Sequence, residues 1–503
     1  MNIRFITRAV FALAICFPTI TDGWQTAVEA EPKAEPSPMI AKIIDVGKTE
    51  NHVQKHLDYL TNRIGPRLTG SEGLQAACEW AQKEFEAMGL DSRLEKWGEF
   101  PVGFERGPSY GAMVSPKPMK LEFGTNAWTA GTKGRVLAKV IVAPKTMEEL
   151  EELRDSIEGN YVLAERAPRR RRSRRPAPAE TENKAENSEQ DEQPTPKPLT
   201  REERLALMAE IEKCNPAGII RHTNDNLILT GGNYRISMDS LPTIPNITLL
   251  KEQWVQIKEM VENGEDVELA FDIRNHFRQG PIPLYNVIAD IPGTELPDEY
   301  VIVGGHIDSW DGATGATDNA AGCATTLEAA RILMAAGAKP KRTIRFMLWS
   351  GEEQGLLGSR AFVEENRQDV NEKVSAVFVH DGGTNYVAGI RCTEAMKPDF
   401  EDVFAAAMDL DERAPFEIQT QTTMRARGGS DHVPFIRAGV PGFFWMQRGR
   451  ATYRTTHHTQ YDTFDSVVPE YQQHSSIVIA IGAFGTANLD HLLPREGIAS
   501  DSR

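Results

Sequence analysis

Cysteine is scarce in this 503-residue sequence, with Cys16, Cys78, Cys214, Cys323 and Cys392 its five thiols. None forms a CxxC pair, which excludes a zinc finger or a dense disulfide framework. Positive charge is also short, since 72 acidic residues face 56 basic ones and leave a formal charge of −16. A uniformly basic face for nucleic acid is therefore excluded. Beyond the amino-terminal region no apolar run reaches the ~18 residues that cross a bilayer, so no membrane span is expected in the mature chain. What is present is a globular balance of 40% hydrophobic and 25% charged residues. That length and balance suit two or three compact units and exclude both a single small module and wholesale disorder.

At the amino terminus, Arg4 and Arg8 precede an apolar segment from Ala9 to about Phe17, and Val28-Glu29-Ala30 offers a small-residue cleavage site. Residues 1–30 are read as a signal peptide and the protein as secreted or periplasmic, with an uncleaved anchor as the alternative. Residues 31–40 read as a linker. From Val53 to Met88 the pattern is helix, loop, helix, the loop being Gly65-Pro66-Arg67-Leu68-Thr69-Gly70-Ser71. Residues 124–272 change to short β-like runs around a helix and look like a separate inserted domain. Within them, 167–200 opens on an arginine run and continues in Pro-, Glu- and Gln-rich sequence with almost no apolar residue, which predicts disorder.

From Tyr285 strand-like and helix-like blocks alternate. Strands are expected at 286–291, 300–303, 343–348, 374–379 and 440–446, and helices at 320–337, 356–366 and 477–493. This order predicts an α/β sandwich with a largely parallel sheet. The chemistry-bearing residues follow a rule of position: His306 and Asp308, Asp318, Glu352 and Glu353, and Asp381 all come just after a strand or just before a helix. Strand ends of a parallel sheet share one edge, so these residues converge on one crevice, and His458 can join them from a later loop. Singly, each has an ordinary reading as a helix cap, a solvated pair or a turn residue. Together, carboxylates with a minority of imidazoles and no thiolate suit hydrolytic zinc, with cobalt or manganese as alternatives. Five ligands suffice for two metals sharing a carboxylate, with one of Glu352 and Glu353 on metal and the other on water. Spacing leaves open which glutamate does which.

Gly304-Gly305-His306-Ile307-Asp308-Ser309-Trp310, Gly315 to Gly322, Trp349 to Ser359 and His458-Thr459-Gln460-Tyr461-Asp462-Thr463 resemble the M28 family of zinc metallopeptidases, and within it the plasma glutamate carboxypeptidase (carboxypeptidase Q) group. The loop at 64–71 resembles that family's amino-terminal segment. The resemblance implies a zinc-exopeptidase-type α/β sandwich with a mostly parallel mixed central sheet, built from a catalytic domain in two segments, 41–123 and 273–495. It also implies that 124–272 is an inserted β-rich protease-associated domain. By the same resemblance Asp318 bridges two Zn2+, His306 and Asp381 complete one site, Glu353 and His458 complete the other, Glu352 is the general base, and the Asp308 carboxylate orients His306 from behind. Ser430-Asp431-His432 matches a loop lining the family's active site, while His457 is the neighbour most easily mistaken for His458. Tyr453 is a candidate oxyanion donor. Asn319 stands where relatives often have a second acid. The expected substrates are short peptides, cleaved by an aminopeptidase or dipeptidase; homodimer formation stays open. Two rival readings are a single-zinc glutaminyl cyclase-like transferase and a catalytically inactive receptor-like ectodomain.

Overall fold

The structure is a computed structural model that describes residues 36–165, 199–224 and 226–499. The expected leader, the first half of the linker and nearly all of 167–200 lie outside the described residues. The linker reading ends early, because a helix starts at Pro38 and runs to Thr49. Ser37 caps it by accepting from the Ile40 N–H, and Pro38 fits the first turn, where no N–H is needed. Likewise Thr200 and Glu203 form a reciprocal capping box that opens the helix Arg201–Lys213.

A mixed, mostly parallel sheet organises the rest. Its first half places the strands Gly442–Phe444, Val374–Val379, Leu296–His306 and Arg342–Trp349 side by side, all parallel. Next comes Glu268–Ile291, antiparallel to Arg342–Trp349. This 24-residue strand crosses residue 272 unbroken, and its other end, near Leu269 and Phe271, pairs with Val136–Val142. From there Val136–Val142, Tyr161–Leu163, Gly218–His222 and Asn246–Leu249 continue in parallel, closed by Phe123–Thr125. Along nearly its whole length Glu268–Ile291 is also paired with Asp91–Ser115.

That long antiparallel ribbon departs from the expected pattern, which held only its last six residues as a strand. Pro101, Gly107-Pro108, Gly280 and Pro281 read as loop signals, but Pro101 and Gly107-Pro108 sit at register slips where an extra residue is left unpaired. The closing helix also differs, running Pro469–Ala487. Its Gln472, His474, Ser475 and Ser476 are all buried, so polar residues face the core and hide the apolar period.

The helices Pro38–Thr49, Ala321–Ala336 and Pro469–Ala487 pack together on one face of the first half-sheet. On the other, Phe362, Val363, Val370 and Phe435 cover Ile302, Met347 and Val377. Around the second half-sheet a separate apolar cluster includes Tyr161, Ile220, Trp254 and Phe271. Cys78, Cys214, Cys323 and Cys392 are buried and unpaired. Among the described residues no helix is long and apolar enough to cross a membrane.

Candidate metal centre

His306 is the last residue of the strand Leu296–His306, and the two glycines before it let neighbouring strands approach closely. A Cβ on Gly304 would lie 2.1 Å from the Met347 carbonyl oxygen. From that strand end the His306 Nε2 lies 3.2 Å from Asp318 Oδ1 and 3.2 Å from Asp381 Oδ1. Asp381 follows the next parallel strand, Val374–Val379, by two residues. Asp318 sits in a kinked turn ahead of the helix Ala321–Ala336, with non-helical backbone and a cis peptide to Asn319. Its other oxygen, Oδ2, lies 3.2 Å from His458 Nε2, and Glu353 Oε2 lies 2.9 Å from that same nitrogen. Asp318 thus stands between two imidazoles, one facing each carboxylate oxygen.

His457 stacks on His458 with ring centroids 3.9 Å apart, and its Nε2 is 3.9 Å from Asp318 Oδ2. Potential ligand atoms of His306, Asp318 and Asp381 all lie within 4.8 Å of one another, as do those of Asp318, His457 and His458. Glu352 borders a cleft of about 520 Å3 together with Glu353, Asp381, Tyr453 and His458. Ser430 lines this cleft, Asp431 is buried behind it, and His432 starts the helix His432–Arg437.

Asp308 meets His306 with two groups. His306 Nδ1 is 3.0 Å from the Asp308 main-chain carbonyl and 3.7 Å from the carboxylate Oδ1, which helps to favour the imidazolium. The carboxylate also holds other groups: Oδ1 accepts from the Glu352 N–H at 3.2 Å, and Oδ2 accepts from the Glu353 N–H at 3.2 Å and the Thr69 hydroxyl at 2.9 Å. It thereby grips both glutamates through their backbone.

Three supports escaped sequence reasoning. Asp462 accepts from the N–H groups of Thr317 and Asp318 at 2.6 and 3.2 Å and so holds the Asp318 turn. Asn319 donates to the His380 carbonyl at 2.8 Å and accepts from the Gly322 N–H, which ties that turn to the residue before Asp381. Arg67, wholly buried, donates to the carbonyls of Ile307, Gly65, Thr314 and Gly315. Gly315 has a φ of 62°, and a Cβ there would lie 2.9 Å from Arg67 Nη2. A turn-flanked arginine in sequence gives no sign that it is buried, whereas Asp462 and Asn319 both lie inside the motifs that carry the family resemblance.

The loop bearing His458 is strapped from outside. The Thr230 N–H donates to the His458 carbonyl at 2.8 Å, the Ile228 N–H to Gln460 Oε1 at 2.8 Å, and Leu229 bridges Thr459. His458 itself takes a φ of 56°, in the left-handed region.

Electrostatically the cluster holds more buried acid than it can neutralise. Burial, reinforced by Asp381, Glu353 and Asp431, pushes Glu352 well above the carboxylate range. Burial and the Asp318 charge push Glu353 up to about 8. Asp431 and Asp462 are each pushed by burial up to about 7. The histidines respond in the opposite sense: burial disfavours their cations, but Asp318 and Glu353 hold His458 up at about 10, and Asp381 and Glu352 hold His306 well above its ordinary value. Glu353 Oε1 is buried without a hydrogen-bond partner. Surplus acid, an orphaned carboxylate oxygen and a mixed nitrogen and oxygen donor set fit a divalent cation of borderline hardness, and zinc in particular.

Residues 286–481 match the family model described as Peptidase family M28, and every member of the cluster lies inside that range. Over 460 residues the chain is 25% identical to carboxypeptidase Q of Homo sapiens, covering 89% of this chain and 88% of that protein. It also superposes on a peptidase M28 precursor from Shewanella amazonensis with a TM-score of 0.62 and 24% identity, covering 90% of this chain and 97% of that one. A zinc aminopeptidase from Bacillus subtilis gives a TM-score of 0.54 at 18% identity, with 90% and 98% covered. These two structural likenesses establish a common fold. The chain carries a peptidase family M28 domain over residues 286–481 and is a hydrolase of the peptidase class.

Proposed function

We propose that the protein is an exported di-zinc exopeptidase acting on short peptides, as an aminopeptidase or dipeptidase. The observation that carries this reading is Asp318, each of whose oxygens lies 3.2 Å from a different imidazole nitrogen. His306, Asp318 and Asp381 would hold one zinc; Asp318, Glu353 and His458 would hold the other. In this reading 41–123 and 273–495 form the catalytic domain, 124–272 is a protease-associated-like insertion, and 1–30 is removed on export.

Bound zinc supplies a Lewis acid that lowers the pKa of water and polarises the scissile carbonyl. Glu352 takes a proton from the attacking water and returns it to the leaving amine nitrogen, so that one carboxyl serves as base and then as acid. In the metal-free protein burial and the neighbouring acids raise the affinity of Glu352 for a proton, and bound dications would offset that acid charge and leave the carboxylate ionised to act as base. Asp308 fixes where this carboxyl hangs by gripping the 352 and 353 main chain. Tyr453, whose phenol burial holds well above its usual pKa, keeps its proton and can donate to the oxyanion.

Glu352→Gln separates binding from chemistry. It should retain two zinc ions per chain while kcat falls by roughly 10²–10⁴; near-normal turnover sinks the base assignment. One zinc in the parent protein, or none, would instead favour the glutaminyl cyclase-like or the inactive reading. His457→Ala and His458→Ala, compared for zinc content, test which imidazole belongs to the set.

A further inference from the structure

The two imidazoles of the cluster are held in different ways. His306 is oriented from behind, its Nδ1 facing the carbonyl and carboxylate of Asp308. Its other partners, Asp318, Cys323 and Asp381, come from the same stretch of chain. His458 presents Nε2 to Asp318 and Glu353, and among the described residues no hydrogen-bonding group meets its Nδ1. A metal-binding imidazole ordinarily has that second nitrogen fixed by a partner, and removing the partner lowers metal affinity. The orientation of His458 must therefore come from its backbone and from the rings around it. His457, which stacks on it, is itself half exposed. Trp310 meets the imidazole edge to face, with centroids 6.2 Å apart and planes at 75°.

Trp310 is anchored on both sides along the chain. Ser309 exchanges two hydrogen bonds with the Arg67 main chain, and buried Asp311 takes a two-pronged pair from Arg106, Nε to Oδ2 at 2.9 Å and Nη2 to Oδ1 at 3.0 Å. Such a fork fixes orientation as well as charge. Away from the metal cluster Trp310 meets Trp128, at 6.4 Å and 85°. Trp128 is buried, has a φ of 55° and donates its indole N–H to the Val102 carbonyl at 3.2 Å. It belongs to residues 124–272, and the same region sends Ile228 to Thr230 to the His458 loop, where Gln460 accepts from Ile228. The two supports touch: a Cβ on Gly312 would lie 1.7 Å from Thr230 Cγ2. Only about 10 Å3 remains open between Thr230, Trp310, Asp318, Glu353 and His458.

We propose that Trp310 and Gln460 are positioning residues for one zinc only: they fix His458 against Trp128 and Ile228, so that residues 124–272 hold the Glu353 and His458 half of the metal centre and leave the His306 and Asp381 half to stand alone. This rests on the two-metal reading above. Neither residue touches metal or substrate; both act through the imidazole.

Chelator competition on the full-length protein resolves zinc uptake into two steps. Trp310→Ala and Gln460→Ala should each weaken one step by about tenfold and leave the other within about twofold, whereas damage to the whole fold would weaken both. Trp310→Phe keeps a ring against His458 and should recover most of the loss. Gln460→Ala trims a half-buried loop side chain, so it decides the matter if Trp310→Ala does not fold. In His458→Ala one zinc should remain, and adding Trp310→Ala should leave its affinity within about twofold, because the residue through which Trp310 acts is already gone. Equal weakening of both steps, no weakening of either, or a further loss in the His458→Ala background overturns the proposal. A parent that takes up a single zinc refutes the two-metal reading instead. The positioning role is then decided by whether Trp310→Ala and Gln460→Ala weaken the ion that His458→Ala releases, and unchanged affinity overturns it.

Discussion

Arg67→Met removes the donors at the centre of the site's scaffold while keeping a stem of similar length. In the parent, Nε donates to the Ile307 carbonyl at 2.7 Å, Nη1 to Gly65 at 3.0 Å and to Thr314 at 2.8 Å, and Nη2 to Gly315 at 2.8 Å. Its backbone exchanges two further bonds with Ser309. Methionine offers none of the side-chain donors; the carbonyls of Leu60 and Gly315 keep the N–H groups of Gly65 and Ala320, while those of Ile307, Gly65 and Thr314 lose the guanidinium, at about 1–3 kcal/mol each. Against this stands the cost of burying a cation, several kcal/mol, which shows as burial pulling the Arg67 pKa below its ordinary value. The net loss should be about 3–5 kcal/mol, the range for breaking a buried charged interaction on one side. The damage should be local as well as global, because Ile307 lies between His306 and Asp308 and Gly315 leads into the Asp318 turn. Denaturant unfolding of the metal-free protein reads the first effect, and zinc titration against a chromophoric chelator reads the second, with affinity expected to fall about tenfold or more. Arg67→Lys should restore little, since one ammonium cannot reach four carbonyls. A loss below about 1 kcal/mol, with zinc affinity unchanged, would show that water replaces the guanidinium without penalty and that Arg67 is not what holds these loops.

Asp462→Asn preserves shape but presents an amide to one of two backbone N–H donors, so zinc affinity should drop about tenfold with a stability loss near 1–2 kcal/mol; equal zinc affinity in the variant refutes the positioning role. In the metal-free protein at pH 7, His458, held up at about 10 by the Asp318 and Glu353 charges, carries a proton. Zinc ligation must expel it, so zinc loading should release protons and affinity should climb with pH between 7 and about 10; calorimetry in two buffers of different ionisation enthalpy will show no release if this is wrong. His474, buried in the closing helix, is pushed down to about 4, while an unfolded chain titrates it near 6.5. The unfolded state therefore binds the extra proton between those values, and stability falls as pH drops from 6.5 towards 4, by up to about 3 kcal/mol. His474→Gln should flatten that window, and an unchanged pH profile would exclude the contribution.

The strand ends and their acid and imidazole residues were legible because parallel strands leave a pattern in sequence: buried runs, then Gly, His, Asp or Glu, then a helix. His306, Asp381 and the Glu352-Glu353 pair each follow that pattern. The long ribbon was not legible, since Pro101 and Gly107-Pro108 interrupt its alternation and are absorbed only by slips that a partner strand makes sense of. Arg67 was illegible for a related reason. Its partners are main-chain carbonyls, which carry no residue identity and leave no mark in sequence. The Asp308 carboxylate shows an intermediate case: its place beside His306 could be read, but its grip on the backbone of 352 and 353 could not, because main-chain N–H groups carry no residue identity.

The strap from Ile228 to Thr230 has a consequence for the order in which the molecule is built. Gln460 and Ile228 are 232 residues apart in sequence, and contacts of such separation form late because loop closure must come first. The left-handed His458 has its own carbonyl held by the Thr230 N–H, and its neighbour Thr459 is bridged by Leu229. The carboxylates of the strand ends can gather as soon as the parallel strands pair, whereas the last imidazole waits for a chain segment on the far side of the long ribbon. Pulse-labelled hydrogen exchange during refolding should find the amide of Thr230 protected after those of Val301 to Val303. The second half of the metal centre is in that sense a checkpoint on completed folding.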